Sequence, residues 1–105
     1  MISPESILVV SKSKSKGRGI YIGRPTPLGN PYKVDQNTSR DEAVAMYRVW
    51  LHKQLETYNP ASEMFLDLLE ELEANKCLIL VCWCAPLKCH GDVIKEMLLE
   101  ACSGK

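Results

Sequence analysis

Residues 77–92 read Cys77-Leu78-Ile79-Leu80-Val81-Cys82-Trp83-Cys84-Ala85-Pro86-Leu87-Lys88-Cys89-His90-Gly91-Asp92. Cys77 to Cys84 are consecutive apolar residues without alternation, the pattern of a central strand covered on both faces. Pro86 then turns the chain. From Asp92 to Cys102, Val93, Ile94, Met97, Leu98 and Ala101 recur at helical spacing, with Gly104 just past the end. A strand leading through a loop into a helix is an α/β step. Its loop lies at the C-terminal end of a strand, where α/β sheets place ligands.

Upstream, Ile7–Val10 and Gly19–Ile22 read as two short strands, expected to pair with each other. Between them Ser11–Arg18 alternates serine and lysine, has nothing to bury and reads as a flexible basic loop. Residues 23–38 show neither helical nor strand period and hold three prolines. So long a connection in a compact domain is usually functional. The prolines let it be rigid without regular hydrogen bonding, and Gly29 allows a sharp turn or close approach. Covering a sheet edge is its plain structural alternative.

Ser39 with Glu42 makes a capping box, so a helix is expected from there to about Thr57. Val44, Tyr47, Trp50, Leu51 and Leu55 form its apolar stripe, which makes Trp50 a core anchor and leaves His52 in solvent. Asn59-Pro60 ends it and caps a second helix with Ala61, Phe65, Leu68, Leu69 and Leu72 inside. Its Glu63, Asp67, Glu70, Glu71 and Glu73 face water. The resulting order β–β–α–α–β–α predicts a small single-domain α/β fold over residues 1–105. It is a layered structure, a short mixed sheet of about three or more strands with three helices packed on it.

The 105 residues suit one core, and 46% hydrophobic with 25% charged residues is ordinary for a globular protein. No apolar run approaches membrane-spanning length, and the N-terminal residues lack a signal-peptide pattern. A cytoplasmic protein with no membrane partner is therefore expected, with its five cysteines mostly as thiols. Net charge is zero but uneven: residues 1–33 carry six bases and one acid, +5, while the rest carries seven bases and twelve acids, −5. The N-terminal third should attract anions.

The Cys/His segment supports three readings. In one, it forms a small-molecule pocket with the Gly/Pro loop: Arg24 clamps an anion, and Cys84 or Cys89 with His90 supplies thiol or acid–base chemistry. In another, Cys82, Cys84, Cys89 and His90 hold zinc, although their spacing differs from that of separated knuckles. In the last, the thiols are small core residues, which suits Cys77 and Cys102 best, and Asp92 is only a helix cap. A reading of another class makes Lys12, Lys14, Lys16 and Arg18 a nucleic-acid or protein contact, though no aromatic residue is interleaved among them.

Together the two segments resemble the family known as domain of unknown function 4326, which occurs in bacteria, phages and some eukaryotes. The resemblance spans roughly Tyr21 to Met97. It is carried by Tyr21-Ile22-Gly23-Arg24-Pro25-Thr26-Pro27-Leu28-Gly29-Asn30-Pro31 and by Arg40-Asp41-Glu42-Ala43 with Tyr47 and Trp50. The third part is Cys82-Trp83-Cys84-Ala85-Pro86-Leu87 with Cys89-His90-Gly91-Asp92. It implies that the motifs share one site and suggests a phage or bacterial accessory role. It implies no activity, and it does not extend to Ser11–Arg18.

The leading expectation is a domain that binds an anionic small molecule, a nucleotide or phosphorylated metabolite. The cleft lies between the Gly23–Tyr32 loop and the Cys84–Asp92 helix start. Arg24, Thr26, Gly29 and Asn30 are the candidate ligand-binding residues; Cys84, Cys89, His90 and Asp92 are the catalytic candidates if a reaction follows. A structural zinc domain and a basic-loop interaction module are the alternatives, and zinc is the one cofactor these residues suggest.

Overall fold

A computed structural model describes residues 2–83, 87 and 89–103 of the chain. A 3-10 turn at Pro4–Ser6 leads into β1 (Ile7–Ser11), α1 (Lys12–Ser15) and β2 (Ile20–Tyr21). These are followed by α2 (Arg40–Gln54), α3 (Pro60–Asn75), β3 (Leu78–Cys82) and α4 (His90–Ser103). This is the α/β architecture expected from the sequence, with one three-stranded sheet and three long helices.

The strand order is β1-β3-β2 and both pairings are parallel, so the sheet is not mixed among the described residues. Ile7 to Ser11 register with Leu78 to Cys82, and Ile20 and Tyr21 register with Leu80 and Val81. The expected pairing of β1 with β2 is thus corrected: β3 lies between them. The continuous apolar run is the segment that can be flanked on both edges and covered on both faces, so it takes the centre. The link from β1 to β2 crosses one face of β3. A Cβ at Gly19, φ +86, would meet the Ile79 and Val81 side chains within 3 Å.

Pleating sends Leu78, Leu80 and Cys82 to the opposite face, into a core with Leu51, Phe65, Leu68, Leu72, Val93, Ile94 and Leu98. β3 is shorter than the apolar run. Cys77 is exposed rather than a core thiol, because it follows the left-handed Lys76 that ends α3 (φ 61). Cys102 is half-buried against the core. Trp83, just past the strand, is 66% exposed.

The capping signals act as read. The Ser39 hydroxyl accepts from the Glu42 N–H and the Glu42 carboxylate accepts from the Ser39 N–H, both at 3.1 Å. Asn59 and Ser62 make the same reciprocal pair at 2.9 Å, with Pro60 opening α3. The α2 stripe buries Val44, Tyr47 and Leu51, with Trp50 half-buried beside Tyr47. The basic stretch is less irregular than its composition suggested. Lys12–Ser15 is one helical turn, closed by the Ser15 hydroxyl donating to the Lys12 carbonyl at 3.0 Å, and Ser15 is buried. No helix among the described residues is long and apolar enough to cross a membrane.

Candidate ligand-binding site

Parallel strands end together, so the segments after β1, β2 and β3 gather at one edge of the sheet. Ile22 joins two of them. Its N–H donates to the Val81 carbonyl at 2.9 Å, extending β2 along β3. Its carbonyl accepts from His90 Nε2 at 2.8 Å. A carbonyl oxygen only accepts, so Nε2 carries the proton and, in the neutral ring, Nδ1 carries the lone pair. His90 is 6% exposed, and the Tyr47 ring packs edge-on at 5.2 Å between centroids. Burial holds the His90 pKa below that of a free imidazole, and the Arg24 charge adds to this. The bond to Ile22 and the charge of Asp92 oppose it. The balance favours the uncharged ring.

The Gly/Pro loop is fixed by hydrogen bonds scattered along it rather than by a ladder. Thr26 donates from its N–H and hydroxyl to the Gly23 carbonyl, at 2.9 and 2.6 Å, and Gly29 N–H donates to the Thr26 carbonyl at 2.9 Å. The Tyr21 hydroxyl donates to the Arg24 carbonyl at 2.9 Å. Leu28 is fully buried, and its carbonyl accepts from the Tyr47 hydroxyl at 2.7 Å, which pins the loop to α2. Asn30 donates to the Ala43 carbonyl at 3.4 Å and accepts from the Tyr32 N–H at 2.8 Å. The Arg24–Pro25 peptide is cis.

Between this loop, the start of α2 and the start of α4 lies a cleft of about 300 Å³. Arg24, Asn30, Lys33, Arg40, Trp83, Cys89 and His90 are among the residues that line it. Three of these are basic side chains, and none of the described residues in the lining is a carboxylate. Arg24, Asn30, Cys89 and His90, singled out in the sequence, therefore share one cavity. Thr26 and Gly29 are not in its wall. They shape the loop behind it: a Cβ on Gly29 would sit 2.8 Å from the backbone N and Cα of Arg24.

Asp92 takes the capping role. Its carboxylate accepts from the Cys89 N–H at 3.0 Å, from the third helical position, so α4 starts at His90 rather than at Asp92. The Cys89 thiol is 2% exposed, lies 3.3 Å from Cys82 Sγ and accepts from the Gly91 N–H at 3.3 Å. The hydrogen bond with Cys82 and burial push the Cys89 thiol far up, so it is a protonated thiol and not a thiolate nucleophile. Burial likewise pushes the Tyr47 phenol up, and the nearby Cys89 adds to this, so the phenol stays a donor. Cys84, the other candidate thiol, lies outside the described residues. So does part of the zinc set. Among the described residues no group of three or more His, Cys, Asp or Glu is placed to hold a metal ion. The His90 Nε2 is also committed to Ile22.

Lys33, Arg40 and Trp83 line the cleft without having been selected from the sequence. One signal was available. Arg40 opens α2, where a cation works against the helix dipole, so its position asks for a reason beyond helix stability. Trp83 stood within the motif that the resemblance tied to the site, but as the end of an apolar run it was not singled out.

No curated protein matches the chain, and no solved structure does. The family model described as Domain of unknown function (DUF4326) matches residues 9–100, and the chain belongs to that family.

Proposed function

We propose that the cleft binds a small anionic molecule, a nucleotide or phosphorylated metabolite, with Arg24, Lys33 and Arg40 facing its phosphate. The observation that supports this reading is the convergence of three basic side chains in one cavity of about 300 Å³ with no carboxylate among the described residues of its lining. Guanidinium groups suit phosphate because they present paired donors in a plane. The net +5 of residues 1–33 adds long-range attraction. Asn30 and Gly29 act behind the ligand by holding the loop. His90, uncharged and with its Nε2 proton given to Ile22, offers Nδ1 as a hydrogen-bond acceptor or weak base. Cys89 and Asp92 support the helix start.

A thermal-shift screen tests the reading with nucleoside mono-, di- and triphosphates, sugar phosphates and pyrophosphate. At least one of them raises Tm by several degrees, as saturating ligand does, and Arg24→Ala abolishes the rise. Failure of every phosphate compound to stabilise the wild type would sink it.

A further inference from the structure

We propose that the binding track continues past Trp83 into a second basic cleft, and that the molecule spanning both is a single-stranded nucleic acid. This rests on the first cleft accepting a phosphate and extends that reading to a larger ligand.

The second cleft, about 270 Å³, lies on the sheet face opposite the three long helices. Lys12, Arg18, Tyr21 and Val81 are among its walls, with no carboxylate among the described lining residues. Trp83 connects the two spaces. It lines the first cleft, and its ring lies beneath the Lys12 ammonium, 5.1 Å from centroid, while the same ammonium lies 4.9 Å from the Tyr21 ring. With 66% of its surface exposed, the indole remains open to a further planar group.

A mononucleotide satisfies only one of these clefts. Two sets of cations on either side of an exposed indole match a chain that alternates phosphates with flat rings. A duplex keeps its bases stacked on each other and has none to lay on Trp83. An acidic peptide does not carry a flat ring beside every charge, as a nucleic-acid strand does. The sequence concealed this arrangement because no aromatic residue lies within Ser11–Arg18. Parallel pairing of β1 and β2 with β3 brings Tyr21 and Trp83 to that stretch.

The test is fluorescence anisotropy with labelled oligothymidylate and oligouridylate of about twelve nucleotides, read from about 50 to 200 mM salt. A duplex and a poly-glutamate of similar length serve as controls. Either single strand, or both, binds at low salt and more tightly than the controls, and the two arms show whether DNA or RNA is preferred. Trp83→Ala weakens binding by about tenfold. Arg18→Ala weakens it several-fold and reduces the salt slope by about 0.7. Both side chains are exposed, so neither change threatens folding. No strand binding at low salt overturns the proposal, as do equal binding of poly-glutamate and insensitivity to both substitutions. If UMP stabilises the protein through Arg24 while strands fail, the small-molecule reading stands and this one falls. If strands bind with the stated sensitivities while no small phosphate stabilises, the strand is the ligand and the small-molecule reading falls.

Discussion

Ile22 shows how one residue, through its main chain alone, can set up a site. Its N–H belongs to the sheet and its carbonyl holds His90, so the end of β2 and the start of α4 stay together. Truncating the Ile22 side chain would disturb the core but not these bonds. His90 was legible in the sequence as a helix-start histidine; its partner was not, because the bond spans 68 residues. The bond has a consequence for pH. Burial depresses the folded-state pKa of His90, so the unfolded chain binds the proton more readily. Stability contributed by the neutral ring is complete above the unfolded value of about 6.5 and is lost as pH falls from there towards the folded value. Urea unfolding between neutral and mildly acidic pH checks this. Wild-type stability declines with a slope that does not exceed about 1.4 kcal/mol per pH unit, one proton's worth. His90→Gln, which keeps a donor for Ile22, flattens that part of the curve. An equal decline in both proteins would assign the effect to other groups.

At the scale of elements, the three long helices and the central strand were legible, whereas the turn at Lys12–Ser15 and the pairing of β2 were not. Ser39 with Glu42, and Asn59 with Pro60, state their helix starts in adjacent residues, so local reading found them. β3 was legible from its apolar run. β2 has only two residues, and no pattern that short records which neighbour it joins. The Gly/Pro loop was legible as lacking regular hydrogen bonding, but its contacts with Tyr47 on α2 and the fold-back of Gly29 on Arg24 were not readable locally. Gly29→Ala places a methyl against Arg24 main-chain atoms that have no rotamer to escape into. The loop must shift, at a cost of about 1–3 kcal/mol in unfolding free energy, and Arg24 moves with it. Chemical denaturation reads the cost, and the same variant loses phosphate-dependent stabilisation beyond what the lower Tm accounts for. A variant as stable as the wild type would show that the close approach is not maintained in solution.

Over the whole molecule, charge follows topology. The acids of α3, Glu63, Asp67, Glu70 and Glu71, are exposed on a helix that contributes nothing to the cleft. Arg24, Lys33 and Arg40 line the cleft between the Gly/Pro loop and the starts of α2 and α4, and Lys12 and Arg18 line a second cleft. The sequence showed the imbalance along the chain, +5 against −5. Parallel pairing turns it into a difference between regions of the surface. That step needed the order β1-β3-β2, which no local pattern contains. The proposed anion site lies between the Gly/Pro loop and the starts of α2 and α4. Amide shift mapping of 15N-labelled protein titrated with UMP tests it most directly. Saturable shifts are expected at Gly23, Arg24, Asn30, Lys33, Ala43 and His90, with the amides of α3 unmoved. Absence of shifts at millimolar ligand, or shifts centred on Pro60–Asn75, would contradict it.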